Sequence, residues 1–510
     1  MATVSDAPGD AGLARRPTLR IVARNTAFML GGQILIKVCG FIFSIYVVRQ
    51  LGAADFGRYS AAMAYGYLFA TFADLGLSTL SIREMARKPE QISWMVPDII
   101  AIRSVLSLAV IAVTTLSAWI LGKTPDMVLA IFIASSSLIL YAFQGPFESL
   151  MIARERLDLS SAFNVLNQVV TIVLGAIVLL TVGGYINLLI TSQLGNLAMA
   201  LAFAYVAIFI MRFSMSRPDP RRWWGLLRAS APFGVMGIIG EFTRNFFVVF
   251  MSFALTYAAV SSYTVPYNLI LMLLLMAQSL ALSMYPSMVI EYDSGRGSIQ
   301  DTVQRALRYL LLLSLPLAIG GMLLAERIIL LMYGQELADA VPVMRILVWT
   351  LPFMFLAELL GRVISTIHRE KQDAMLVTFN GVLSVVLTVI CVPLFGAIGA
   401  AIVMVINQFI NVAGSIIIIG PKLLFERNLA PLARIVMTSV VMGIIVWFAQ
   451  NSSLLFMLDE KLALLALIAL GAAVYAIAAI ALRTVSPDEA RFLYGMVRRK
   501  LRPARTAVQQ

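Results

Sequence analysis

Charge is scarce in this 510-residue chain: Asp, Glu, Lys and Arg make up 13% of it, against about 25% in a soluble globular protein. That deficit excludes an ordinary water-soluble domain. Cysteine is almost absent too. The two present, Cys39 and Cys391, fall inside apolar runs, which excludes a disulfide framework and a cysteine-based metal site. A single histidine, His368, leaves little scope for His-ligated metal or a His general base, and no metal or cofactor is expected. No G-x-x-x-x-G-K-[ST] loop occurs and no polar stretch could house an ATPase. Transport would then have to draw on a gradient, the membrane potential or mass action. The first 24 residues hold no apolar core leading to a small-residue cleavage site, so the first apolar span is expected to direct insertion.

What the chain has in abundance is apolar length. Hydrophobic residues make up 60% of it and the mean hydropathy is +0.89. A helix needs about 20 apolar residues to cross the hydrocarbon core. Scanning on that basis predicts an all-α, polytopic membrane protein with about fourteen spans. The first six lie near 26–48, 59–80, 97–121, 128–152, 159–181 and 186–211. Six more lie near 231–255, 259–290, 303–325, 341–367, 374–395 and 397–420, and a last pair near 432–450 and 462–482. The break between 395 and 397 is the thinnest.

Basic residues test that count independently. Taking alternate connections from the N-terminal tail onward, one side carries 29 of the 39 Lys and Arg residues and the other only Arg49, Arg58, Lys123, Arg327 and Lys461. Positive charge collects on the cytoplasmic side, so both termini are expected there. The net charge of +12 therefore reflects topology, and nucleic acid is not an expected partner. In the basic tail, Ser486, Pro487 and Glu489 read as a helix start, followed by an apolar stripe of Phe492, Leu493, Met496 and Val497 beside arginines. Such a helix would lie on anionic membrane lipids.

The chain also repeats. IARERLD at 152–158 and IHREKQD at 367–373 share Ile, Arg, Glu and Asp in register, and Phe163-Asn164 and Phe379-Asn380 follow them. LGAADFGRYS at 51–60 stands opposite LTYAAVSSYT at 255–264, an offset of 204. Spans 1–6 thus repeat as 7–12, and an even count makes the repeat parallel, with substrate expected between the halves. The organisation expected is a cytoplasmic tail (1–24), an N-lobe (25–211), a basic linker (212–230), a C-lobe (231–420), the last span pair (421–482) and a basic tail (483–510).

These motifs carry a resemblance. RNTA at 24–27 with Gly31-Gly32, LGAADFGRYS at 51–60, the two RE turns, and LMYGQEL at 331–337 followed by Ala340 and Arg345-Ile346-Leu347 resemble the polysaccharide-transporter (Wzx-type) flippases. Those belong to the multidrug/oligosaccharidyl-lipid/polysaccharide exporter superfamily, which also holds MATE drug exporters and MurJ-type lipid II flippases. The resemblance, over about 24–420, implies two six-helix lobes around a cavity that opens alternately to each side. It implies a cargo of polyprenyl-pyrophosphate-linked oligosaccharide (an O-antigen, capsule or exopolysaccharide unit) flipped across the bacterial cytoplasmic membrane, with lipid II or a drug or cation as alternatives. A glycan polymerase is a candidate partner. An enzyme is not expected, because the longest non-cytoplasmic loop, near 326–340, is short.

Five basic residues fall within spans, Lys37, Arg103, Arg244, Arg345 and Arg362, beside acidic Asp74, Glu148, Glu241 and Glu358. A charge at the bilayer centre costs about 2.5–3.5 kcal/mol on insertion scales, so such residues usually face a polar interior. Lys37 lies about 16 Å along its helix from either end, too far to snorkel. The offset of 204 sets it opposite Glu241, one turn before Arg244. In one reading Lys37, Arg244, Arg345 and Arg103 draw a pyrophosphate into the cavity, because phosphate oxygens need cationic donors. Glu241 or Asp74 would then exchange a coupling H+ or Na+. In the other, Lys37 forms a buried ion pair with Glu241 or Asp74. Glu358 and Arg362, four apart on one helix, read as a local pair.

Overall fold

The computed structural model describes residues 19–154, 156–210, 215–294, 299–424, 430–452, 459–482 and 484. The expected tail helix after 485 lies outside them, as do parts of the basic connections. Among the described residues there is no strand. The helices are α1 (Leu19–Asp74), α2 (Leu77–Arg87), α3 (Ile92–Ile120), α4 (Pro125–Ala153), α5 (Leu157–Thr181), α6 (Tyr185–Tyr205), α7 (Pro220–Ala254) and α8 (Tyr257–Ser294). There follow α9 (Ile299–Leu323), α10 (Ala325–Tyr333), α11 (Ala340–Leu347), α12 (Thr350–Thr366), α13 (Glu370–Ile419), α14 (Pro421–Leu424), α15 (Ala430–Gln450) and α16 (Glu460–Ala481).

Among the described residues, ten helices are long and apolar enough to cross a membrane, or eleven if α11 and α12, bent by 41° at their junction, are one span. The expectation of fourteen differs for a physical reason. It divides α1 and α13 each into two, and it counts α7, where only Arg244–Ala254 forms a shorter apolar stretch. Both long helices contain a glycine at positive φ, Gly52 (φ 74°) and Gly396 (φ 62°), a region that side chains resist and glycine enters freely. Around Gly396 the chain doubles back. Asn407 Nδ2 donates to the Asn380 carbonyl at 3.0 Å, and a Cβ on Gly414 would run into Leu376. The two arms of α1 meet different neighbours. Before Gly52, Gly32 and Gly40 lie against Val165 and Gln168 of α5; after it, Gly66 lies against Ala134 of α4 and Gly57 against the Tyr257 carbonyl of α8.

The main apolar core joins sequence-distant segments: Ala61, Ala62 and Tyr65 of α1 with Met251 of α7 and Val260 and Tyr263 of α8, continuing into α12 and α13. A second core, Leu77, Met95, Ile99, Leu150 and Phe203, lies within the first half and is joined by Leu226 and its neighbours Trp223, Leu227 and Phe233 of α7. The last pair, α15 and α16, seals onto α9 through Met442, Val446, Leu464 and Leu467, where Gly443 admits Ile319. The halves therefore meet along α1, α7 and α8. Two ends of this seam can be named, one at the Gly52 break and one at the Leu75–Gly76 turn.

Candidate functional site

α7 and the first arm of α1 each carry a cation within an apolar stretch. Lys37 and Arg244 are both exposed, and among the described residues neither makes an ion pair. Gln33 on the Lys37 face is exposed as well, while Gly40 on that face packs on Gln168. A helix whose middle turns present lysine and glutamine to open space needs water or a polar ligand there. Glu241, half-buried, accepts from Asn245 Nδ2 at 2.9 Å. Tyr267 of α8 lies within electrostatic reach of both Arg244 and Glu241, and Tyr67 of α1 within reach of Glu241. The structure thus brings Glu241, Arg244, Tyr67 and Tyr267 together where α1, α7 and α8 meet.

The alternative of a buried ion pair for Lys37 is not formed among the described residues; Asp74 is paired with Arg103 instead. Asp74 Oδ1 lies 3.5 Å from Arg103 Nη2 and accepts from Ser78 Oγ at 2.6 Å, and Arg103 donates to Ser78 Oγ at 3.2 Å. Arg103 is buried (8% exposed) in a space that exists because Gly145 of α4 has no Cβ. Its charge is answered by Asp74 within the first half. Glu148 accepts from Ser160 Oγ (2.9 Å) and Asn164 Nδ2 (3.0 Å), tying α4 to α5.

Glu358 and Arg362 do approach one another, at 4.0 Å, and Gln278 Nε2 donates to Glu358 Oε1 at 3.2 Å. Arg345 lies elsewhere. It pairs with Glu326 at 3.1 Å and lines a separate cavity between α10, α11 and the last helix pair, whose lining includes neither Lys37 nor Arg244. Its amphipathic helix α11 is only 8 residues long and starts span 10 at its edge, so apolar surroundings in sequence concealed a surface position.

Two cross-links were not singled out from sequence. Asp98, fully buried in α3, accepts the Asp219 backbone N–H at 2.7 Å and lies 2.9 Å from Arg222 Nε, whose guanidinium covers the Trp94 ring at 4.7 Å. Asp219 in turn caps α7 by accepting the Arg221 N–H at 3.0 Å, with Pro220 at the first helical position. At the other end Lys123, in the α3–α4 turn, donates to the Ser252 carbonyl of α7 and stands 3.8 Å above the Phe253 ring. Burial pushes its ammonium down to about 8. A signal for both existed: charged residues beside aromatic partners at helix ends. Their partners, however, lie more than 100 residues away.

The family model described as polysaccharide biosynthesis protein matches residues 22–290, and the one described as lipid II flippase MurJ matches 225–467. A curated relative, the probable low-salt glycan biosynthesis flippase Agl15 of Haloferax volcanii, is 22% identical over 373 residues, 73% of this chain and 78% of its own. Among solved structures, a lipid II flippase MurJ in an inward closed conformation matches with TM-score 0.74 and 15% identity, covering 89% of this chain and 98% of that one. An inward-facing MATE multidrug transporter of the MOP superfamily matches with TM-score 0.60 and 16% identity, covering 75% and 93%. At such identities the structural likeness establishes the fold. With the first family model covering more than half its length, the chain belongs to the polysaccharide biosynthesis protein family, within the multidrug/oligosaccharidyl-lipid/polysaccharide exporter superfamily that its motifs resemble.

Proposed function

We propose that this protein is a flippase that moves a polyprenyl-pyrophosphate-linked oligosaccharide between the leaflets of the bacterial cytoplasmic membrane. Both termini lie in the cytoplasm and the Gly52 end faces outward. One observation carries the reading: Lys37, within an apolar span, and Arg244, at the start of the apolar stretch of α7, one in each half, are exposed and free of ion pairs among the described residues. Two unneutralised cations on apolar helices are costly unless a ligand answers them, and a pyrophosphate is such a ligand. Lysine supplies a point charge and arginine a planar fork for two oxygens. Tyr67 and Tyr267 offer hydroxyls and ring faces for sugar. Glu241, one turn from Arg244, is the group to exchange a coupling proton or sodium ion, since an anion beside the head group must be neutralised before the cargo settles. Family membership and the Agl15 likeness support a lipid-linked glycan as cargo.

Replacing either cation with alanine removes a charge-assisted contact of about 1.5–3 kcal/mol, so transport is expected to fall at least about tenfold. The measurement is the amount of glycan lipid reaching the outer leaflet in cells carrying Lys37→Ala or Arg244→Ala at normal protein level. Unchanged transport would overturn the head-group role, and Lys37→Arg should retain more activity than Lys37→Ala. The match of 225–467 to the lipid II flippase model favours a second reading in which lipid II is the cargo. Depleting the chain decides between them: the lipid-linked glycan or lipid II, whichever accumulates on the inner leaflet, is the substrate.

A further inference from the structure

A second cavity, of about 530 Å³, lies at the Gly52 end between α9–α11 and the last helix pair, apart from Lys37 and Arg244. The stretch 331–345, which carried part of the family resemblance, contributes Leu331, Gln335 and Arg345 to its walls. Its remaining polar lining comes from helix ends: Glu326 and Arg327 in the first turn of α10, Gln450 at the last position of α15 with Asn451 just beyond it, and Glu460 at the first of α16. Helix ends of a membrane bundle lie at the depth of lipid head groups.

The charges in the cavity are of both signs and only partly satisfied. Arg345 and Glu326 neutralise each other at 3.1 Å. Among the described residues Arg327, half-buried, makes one long hydrogen bond, 3.5 Å to the Gln450 carbonyl. Glu460 makes neither a hydrogen bond nor an ion pair among the described residues. One available cation and one available anion thus face a single space, floored by the apolar Leu330 and Leu331. We infer that this cavity binds the head group of a zwitterionic phosphoethanolamine lipid from the surrounding leaflet, with its phosphate on Arg327, its ammonium on Glu460 and its glycerol over the leucines. A phosphoglycerol head group would meet Arg327 but press its remaining polar surface against Glu460 and Glu326. A phosphocholine head group has no N–H to donate to Glu460, so charge-assisted hydrogen bonding is lost on that side.

Native mass spectrometry of the purified full chain, with phosphatidylethanolamine, phosphatidylglycerol and phosphatidylcholine supplied in equal amounts, tests this. The phosphoethanolamine lipid is expected to be retained at least about tenfold over each of the others, the ratio one additional charge-assisted hydrogen bond yields. Glu460→Gln should bring that ratio close to one, and Glu460→Lys should turn the preference towards phosphatidylglycerol. Equal retention of the three lipids by the wild-type chain would overturn the site. So would an ethanolamine preference untouched by both substitutions, which would mean that Glu460 serves only the N-terminus of α16. Because the wild-type ranking is itself decisive, a variant that fails to fold leaves the test standing. The result does not depend on the cargo carried between the halves.

Discussion

The two ends of the seam between the halves close by different means. At the Gly52 end, side chains tie one half to the other. Arg49 donates to the carbonyls of Met332 (2.7 Å) and Leu331, Ser261 Oγ to the Ala53 carbonyl, and Lys123 to the Ser252 carbonyl. The Arg58 guanidinium lies 5.8 Å from the centres of both the Tyr185 and Tyr257 rings. At the Gly76 end the contact between α1 and α7 is nearly bare backbone. A Cβ on Gly234 would stand 2.7 Å from the Leu75 carbonyl, and one on Gly237 would stand 2.9 Å from Thr71 Cγ2. Opening the first end breaks charge-assisted bonds whose partners must find water; opening the second gives up dispersion contacts alone. The second end has a different restraint. Asp98 holds the first turn of α7 to α3, so α7 must bend beyond that anchor, near Pro232, to leave α1.

The sharpest way to break this contrast is to wedge the Gly52 end open. Gly57 lies directly against the Tyr257 carbonyl with no room for a Cβ. Gly57→Leu overpacks that contact, at about 3 kcal/mol, near the top of the range for such insertions. The expected outcome is at least a tenfold faster reaction of a reporter cysteine at Tyr67 with an impermeant thiol reagent applied from the Gly52 side, in a chain with Cys39 and Cys391 replaced by serine. Gly234→Leu should do the same from the opposite side only. If both substitutions accelerate labelling from one and the same side, the two ends are not separate gates.

The Gly52 break itself was legible, because LGAADFGRYS places small and charged residues between two apolar runs. The offset of 204 carries it to the α7–α8 break at 255–256, where the structure also ends a helix. Lys37 in an apolar helix was legible as well, and it is exposed. The surroundings of Arg103 were not. Its charge within a span was legible, but Asp74 from α1 and the missing Cβ of Gly145 in α4, beside which it sits, are both brought in by packing. The turn at Gly396 was nearly invisible, since no polar residue separates 374–395 from 397–420 and only the backbone freedom of one glycine marks it. Periodicity and charge report what a residue needs, while the partner that supplies it comes from chain tens to hundreds of residues away.

A smaller effect sharpens the other side of the comparison. Asp98→Ala leaves the Asp219 N–H without its acceptor and Arg222, 34% exposed, without its carboxylate. Breaking a fully buried pair costs about 3–5 kcal/mol; with one partner partly in water, about 2 kcal/mol is expected here. A melting curve of the purified protein measures the loss. If Asp98 is the anchor that forces α7 to bend, the same variant should also speed labelling at Tyr67 from the Gly76 side and leave the Gly52 side unchanged. Equal acceleration from both sides would mean general loosening.

The mildest test needs only a change of pH. Burial holds the Lys123 ammonium down to about 8 when the Gly52 end is closed, while a lysine released to water keeps its ordinary value of about 10.5. Between those values the open form binds more protons than the closed one. Raising the pH through that window therefore favours closure, and lowering it below 8 adds nothing further. The Phe253 face and the Ser252 carbonyl stabilise the ammonium in the closed form and so narrow the difference. A change of about threefold is expected, well under the full linkage. Labelling at Tyr67 from the Gly52 side, corrected for thiol ionisation with an exposed control cysteine, should slow by that factor between pH 8 and 10. It should lose its pH dependence in Lys123→Gln. Because the Gly76 end is joined through glycines, labelling from that side should show no such slope, and a slope of equal size there would erase the distinction between a seam held by charge and one held by fit.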